Sequence, residues 1–576
     1  MPPLLPRMGS ELPRRLNLSR VLPFILACLW FGPGVRAQTA PDSAAAQTLA
    51  EGRRLMAARQ YDSTVALLEP LVRRDSTYAA ALLVLGNAHR RLGHLEVAAT
   101  LYQRAAGPGT TIPAWRALFG LFAEAGRNDE AFRWLELLRT SAVVDLSGVA
   151  AMPEVSRLKG DPRFDLLQPD RIRFEPAFVE PEAHIIQQWR GESPGDEFGW
   201  IARGIGDVDN DLVTDVVISA TQNPPFGSAR GLVYAYSGKT GRLLWKQEGD
   251  SGAVLGTGLE SAGDTDGDGA EDVVAGAPGI NSVLVFSGRD GRQLLRLRGD
   301  SVDGDLGAAV SGVGDVDGDG RSDIVAGAPS SAAHGPGAGR VYVFSGRDGR
   351  RLATLDGERP GDGFGSTVGG GGAQVIVGGA GAGPRSSGRV YLYHGLELKP
   401  RFVADADATG SALGGMFVSV LGDVNRDGVP DIYVTDFSNT ARGPSTGRAY
   451  VYSGTDGASL LTLTGDLAGE GFGIGAGRTG DLNGDGSADL VVGSWQYGAV
   501  AWSGGRVQVL SGKDGKVLQR ITGKVPGETL GFDAVAIGDV DGDGKTDFLV
   551  TSAYSLVNGN RSGRVFIVAG STGPAP

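Results

Sequence analysis

One cysteine in 576 residues excludes a disulfide framework. It is Cys28, which lies in a leader-like N-terminus, so the remaining chain has no thiol chemistry either. Histidine is almost as scarce. Of five, His89 and His94 share one helical stretch, and His184, His334 and His394 are scattered, which argues against a Ser-His-Asp site. Basic residues are outnumbered, 54 Lys and Arg against 66 Asp and Glu, and a net charge of −12 argues against a nucleic-acid partner. The only sustained apolar run, Val21–Phe31, is too short to span a bilayer, and no other segment is long and apolar enough.

Glycine, in contrast, is abundant. Its 93 copies are about twice the ordinary share of roughly 7%, with no collagen period, which predicts many tight turns. Arg7, Arg14, Arg15 and Arg20 precede the apolar run, and Val35-Arg36-Ala37 follows it, so residues 1–37 read as a secretory signal peptide cleaved after Ala37. Lipid attachment at Cys28 is disfavoured, because apolar residues continue beyond it. The expected location is secreted, periplasmic or cell-surface. Removing the leader takes away five Arg and one Glu, so −12 becomes −16.

Residues 42–168 carry helical periodicity with a repeat of 33–34 residues. Gly52, Leu55, Tyr61, Val65 and Leu68 form the first unit. Gly86, His89, Gly93, Ala98, Tyr102 and Ala105 form the second, and Phe119, Phe122, Gly126, Ala131, Phe132 and Leu135 the third. Small residues let paired helices approach while the large ones fill the seam. The pattern resembles tetratricopeptide repeats, a family whose stacks bind peptides or proteins. Here the stack either binds a partner or only supports the next domain. A helix at Met152–Leu167 is expected to cap it, and Pro169, Pro176 and Pro181 mark 169–182 as a semi-rigid linker.

From 183 to 573 the pattern alternates, with frequent turn signals. Units open at Phe198, Leu255, Leu306, Phe364, Gly414, Phe472 and Leu530, at spacings of 50 to 58 residues. Four strands per unit give an all-β, seven-bladed propeller behind the all-α stack. The last unit lacks a fourth strand, and the stretch 185–192 matches the fourth strands of other units, so it is expected to close blade 7.

Six units carry a nine-residue acidic segment, read most easily at Asp315–Asp323, DVDGDGRSD. Places 1, 3, 5 and 9 hold Asp207, Asp209, Asp211 and Asp215 in blade 1, Asp264, Asp266, Asp268 and Asp272 in blade 2, and Asp315, Asp317, Asp319 and Asp323 in blade 3. Asp423, Asn425, Asp427 and Asp431 follow in blade 5, Asp481, Asn483, Asp485 and Asp489 in blade 6, and Asp539, Asp541, Asp543 and Asp547 in blade 7. Acceptor-only oxygens this dense repel one another unless a hard cation sits among them. Calcium takes six to eight oxygens from a flexible loop, whereas magnesium keeps its waters, and loops without Cys or His disfavour zinc and copper. Six Ca²⁺, one per blade except blade 4, would bring the charge from −16 to −4.

Phe-Gly openings at 198–199, 364–365 and 472–473, Gly-Ala-Pro at 276–278 and 327–329, and the acidic loops together resemble FG-GAP repeats, as found in the propeller of integrin α-subunits. The resemblance implies side-chain ligands at places 1, 3, 5 and 9, a backbone carbonyl at place 7, and a glycine turn at place 6. Blade 4 lacks the loop, and blade 1 has Leu212 in place of that glycine. The resemblance also implies ligand contacts on the rim opposite the loops, where Phe226, Trp495, Tyr497, Trp502 and Tyr554 are the aromatic candidates. The expected function is a non-enzymatic protein- or glycan-binding or adhesion scaffold. The alternative is an extracellular carbohydrate- or phosphodiester-active enzyme using propeller carboxylates.

Three short motifs lose to repeat grammar or context. Arg298-Gly299-Asp300 recurs as Arg190-Gly191-Glu192 and Thr464-Gly465-Asp466. Gly443-Pro-Ser445-Thr-Gly447 lacks a strand-to-helix turn, and Gly238-Lys-Thr240 lacks the phosphate-loop setting.

Overall fold

A computed structural model describes residues 43–76, 78–105, 111–141, 157–158, 160–165, 173–223 and 227–571. The expected signal peptide lies outside the described residues, as does half of the expected cap helix, whose described part holds one short helix, Pro162–Asp165. Among the described residues no helix is long and apolar enough to cross a membrane.

Six helices come first: α1 (Ser43–Ala57), α2 (Tyr61–Arg74), α3 (Ala79–Arg91), α4 (Leu95–Ala105), α5 (Thr111–Glu124) and α6 (Asn128–Ser141). A glycine fixes the approach of α3 and α4, since a Cβ on Gly86 would stand 2.6 Å from the Tyr102 ring. Tyr102 is fully buried, and its hydroxyl donates to Asn87 Oδ1 at 2.8 Å. Gly93, at φ +81°, turns the chain out of α3. That turn brings His89 and His94 together with their Nδ1 atoms 3.1 Å apart, so one imidazole must donate and the other accept. Burial pulls the His89 pKa below 6.5, and the neighbouring His94 adds to the effect. The folded protein therefore binds this proton less tightly than the unfolded chain, and stability must fall as pH drops below about 6.5. Thermal melts of the helical region from pH 7.5 to 5.5 should show that loss. His89→Gln should flatten it, and an unchanged slope would refute the assignment.

The strands form seven four-stranded antiparallel sheets. Second and third strands are buried on both faces, for example Asp323–Ala328 and Ser282–Phe286. That burial explains their apolar runs. Outermost strands such as Gln293–Arg298 keep exposed positions. Apolar layers fill the gaps between blades. Between blades 7 and 1, for instance, Ile537, Leu549, Val565 and Ile567 meet Val216, Ile218 and Tyr234. Two tryptophans on outermost strands reach the next blade. Trp189 Nε1 donates to Gly241 O at 3.0 Å and Trp245 Nε1 to Gly288 O at 2.6 Å. Gly291, at φ +72°, lies flat against the Trp245 ring, where a Cβ would clash at 2.8 Å.

The ring closes through the strand Ile185–Arg190, which pairs antiparallel with Arg564–Val568 at the outer edge of blade 7. The segment before it is bound to the propeller rather than free. Val179 N–H donates to Thr522 O, Lys524 N–H to Ala177 O, and Phe178 meets Phe566 edge-on at 5.2 Å. Arg564, fully buried, gathers Phe174 O, the Glu175 carboxylate and Gln188 Oε1, with Glu528 at 3.5 Å. One guanidinium thus joins the incoming chain, the closing strand and blade 7. The stretch expected to act as a semi-rigid spacer is held from residue 174 onward, because its apolar side chains and backbone polar groups find partners on blades 6 and 7.

Candidate metal centres

The six acidic segments connect the first two strands of blades 1, 2, 3, 5, 6 and 7, which places all of them on one rim. Each is built by its own side chains. Asp315 Oδ1 accepts from the N–H groups of Gly318 and Asp319 at 2.7 and 3.1 Å, and its Oδ2 accepts from Gly320 at 2.9 Å. Asp317 Oδ1 accepts from Asp319 N–H, and Asp319 Oδ1 from Arg321 N–H. Such Asx turns curl the chain so that the remaining lone pairs converge. The ligand oxygens of Asp207, Asp209 and Asp215 all lie within 4.8 Å of one another. The same holds for Asp264, Asp266 and Asp272, for Asp315, Asp317 and Asp323, and for Asp539, Asp541 and Asp543. In blades 5 and 6 the Asn425 and Asn483 carbonyl oxygens accept from Asp427 and Asp485 N–H, both at 2.9 Å, in the role Asp317 plays in blade 3.

The ninth-place aspartates do more than face an ion. All six are fully buried. Asp323 Oδ2 accepts from Val316 N–H at 2.8 Å, and its Oδ1 accepts from Gly346 N–H at 3.1 Å, in the turn after the third strand. Asp215 with Gly238, Asp272 with Gly288, Asp431 with Gly454, Asp489 with Gly512 and Asp547 with Gly570 repeat that bond. Burial raises the pKa of each of these carboxyls, that of Asp215 to about 6. A nearby cation would oppose that shift by favouring the charged form.

The donor set fits a hard divalent cation. It is all oxygen, it crowds like charges, and Asp209 Oδ1 is buried with no hydrogen-bond partner. Compensation from within the protein is partial. Arg350 lies 3.3 Å from Asp317, Arg292 3.5 Å from Asp266 and Arg289 2.8 Å from Asp268, from turns on the same rim. Arg350 and Arg292 are about two-thirds exposed, so solvent screens them.

Left-handed backbone occurs at places 4 and 6 of these loops, whereas the repeat motif marks only the second. In blade 3 these are Gly318 and Gly320, at φ +81° and +83°. Blade 1 uses Asn210 and Leu212, at φ +62° and +70°, and Leu212 is 92% exposed. A leucine there bears steric strain and gains no burial. Leu212→Gly should therefore stabilise the protein by about 0.5–1 kcal/mol, read as a small rise in melting temperature. A fall would show that the leucine makes a contact worth more than the strain.

Blade 4 passes from Phe364–Gly371 to Gln374–Gly379 through a two-residue turn. Gln374 takes the ninth-place position, and its Nε2 donates to Pro430 O of blade 5 at 2.9 Å.

On the opposite rim the candidate aromatics point inward. Trp495 and Tyr554 are buried with Trp200, Phe417, Phe437 and Phe532 in one cluster. Trp502 is buried against Phe119, Phe122, Phe132, Leu158 and Phe164, where the helical stack meets blade 6. Tyr497 is half-buried, with the Arg506 guanidinium 3.9 Å from its ring centre. Phe226 lies outside the described residues. As large apolar groups at the mouths of narrow gaps, the described rings are drawn into packing between blades and helices rather than displayed.

The sequence reading missed a second recurring device on that rim. A Gly-Arg pair opens the third strand of blades 3 to 7, and its arginine meets acids in the blade-opening segments or outermost strands. Arg340 lies 2.9 Å from Asp300, Arg389 2.7 Å from Asp405, Arg448 2.6 Å from Asp407, and Arg506 2.9 Å from Asp466. Arg564 with Glu528 completes the series, and burial pushes Glu528 up to about 7 against the pull of that arginine. The repeat of Gly-Arg at 339, 388, 447, 505 and 563 was the available signal. The same device engages the aspartate of Arg298-Gly299-Asp300, since Asp300 is held by Arg340 and Arg351.

Comparison with known proteins agrees with this geometry. The family model described as FG-GAP repeat matches residues 306–344, and that described as FG-GAP-like repeat matches residues 481–550. Integrin alpha-2 of Bos taurus is 29% identical over 164 residues, 25% of this chain and 14% of the relative. Integrin alpha pat-2 of Caenorhabditis briggsae is 32% identical over 211 residues, 30% of this chain and 17% of the relative. Integrin alpha-PS5 of Drosophila melanogaster is 33% identical over 179 residues, 28% and 17% of the two chains. The chain spans less than a fifth of the length of these relatives. With the loops, the openings and the ring all in place, the chain is one that carries FG-GAP repeats in a seven-bladed propeller and is similar to integrin α-subunits.

Proposed function

We propose that the protein is a secreted, calcium-stabilised, non-enzymatic scaffold that binds a protein or a surface glycan. The observation that carries this reading is the preorganisation of six similar oxygen loops on one rim. Each loop spends its carboxylates on a single ion and on its own backbone, so the acids act as staples within a blade, not as acid–base pairs. Calcium would be held by the side chains at places 1, 3, 5 and 9, with up to six ions and none in blade 4. The helical repeats, read as tetratricopeptide-like, would support the propeller at blade 6 through Trp502 or offer a second, peptide-binding surface.

Affinity capture from extracellular protein and polysaccharide, with and without calcium, tests the proposal. A partner retained only with calcium is the expected result. Turnover of a polysaccharide or phosphodiester by the purified protein, lost on mutating a carboxylate outside the six loops, would overturn it in favour of an enzyme.

A further inference from the structure

We propose that the axial cavity of the propeller is a binding site for the end of a neutral oligosaccharide, which deepens the binding reading above and rests on it. The cavity encloses about 720 Å³ and is lined by residues of all seven innermost strands. That volume falls within the usual range of small-ligand sites, about 300–1,000 Å³. Each innermost strand has a neighbour on one side only, so its other edge carries backbone N–H and C=O groups that no strand satisfies. Alternating donors and acceptors suit a ligand dense in hydroxyls, each of which both donates and accepts, and a sugar is such a ligand. Side-chain hydroxyls such as Ser311, Thr367 and Ser419 add to this wall.

Charge narrows the class. Among the described residues Arg203 is the one cation in the lining, and it is already engaged by Glu260 at 2.7 Å and by the buried Asp533. Among the described lining residues the acids Glu260, Glu271 and Asp305 outnumber that cation, which disfavours uronates, sulfated sugars and phosphates. Towards the rim opposite the acidic loops the lining becomes apolar, with the partly exposed Ile201 and Met416 lying over the buried Trp200, Phe417 and Phe532, and such an apolar surface suits the C–H face of a pyranose.

The test uses the full chain with calcium bound. Neutral cello-, chito-, malto- and xylo-oligosaccharides of three to six units are titrated by calorimetry, with oligogalacturonate and spermine as charged probes. One neutral series should bind. Ser419→Phe and Ala309→Phe, which fill the cavity from blades 5 and 3, should each weaken it at least tenfold with the melting temperature retained. If one variant fails to fold, the other still decides, and a crystal soaked with the bound sugar gives an independent location. No binding by any neutral series, binding that survives a folded filled variant, or preference for spermine would each overturn the inference. Polysaccharide capture undiminished in the filled variants would leave the scaffold reading standing. Hydrolysis of the titrated sugars would remove that reading as well.

Discussion

Chelating calcium should lower the melting temperature of the propeller by more than about 10 °C. A single site filled at a hundred times its Kd contributes about 2.7 kcal/mol, and in domains of this size about 1 kcal/mol already moves melting by a few degrees. Six loops so filled would add up around one ring. The physical reason lies in the loops. Without an ion, Asp315, Asp317 and Asp323 hold charged oxygens within 4.8 Å of one another, and the last of them is fully buried. Calcium added back should restore the melt, and magnesium should restore much less. Asp317→Asn should reproduce a fraction of the chelation effect. A melt indifferent to chelator would end the structural-calcium reading.

Deleting residues 183–192 should convert a soluble protein into an aggregating one. The deletion removes the partner of Arg564–Val568, a strand with every residue buried, and exposes a row of unsatisfied backbone groups beside an apolar face. It also removes Trp189, which lies 5.1 Å from the Tyr236 ring and ties the closing strand to blade 1. Trp189→Ala, the milder change, should cost about 3–5 kcal/mol. Size-exclusion chromatography and thermal melting read both variants. A truncated protein that stayed monomeric with an unchanged melt would show that the ring does not need this strand.

The two effects come from different parts of the molecule, and the sequence revealed them unequally. The loops were legible because all the groups that shape them lie within nine residues. Asp315 captures the N–H groups of Gly318 and Gly320 whatever the rest of the chain does. The closing strand was legible by counting, since one unit lacked a strand and one strand lacked a unit. The Arg564 node was not, because Phe174, Glu175, Gln188 and Glu528 come from separate places in the chain. The rim aromatics misled for a related reason. A tryptophan in a loop looks the same in sequence whether it faces solvent or, like Trp502, is buried under helices hundreds of residues away.

By itself the sequence determined the repeat, the blade count, the six oxygen loops and the blade without one, because periodicity and local hydrogen bonding write these into short segments. Tertiary structure alone decided which way the aromatics turn, how the helical stack sits on blade 6, the second bond of each ninth-place aspartate, and the charge and volume of the axial cavity. Those features depend on side chains brought together by ring closure, and no short segment contains both partners.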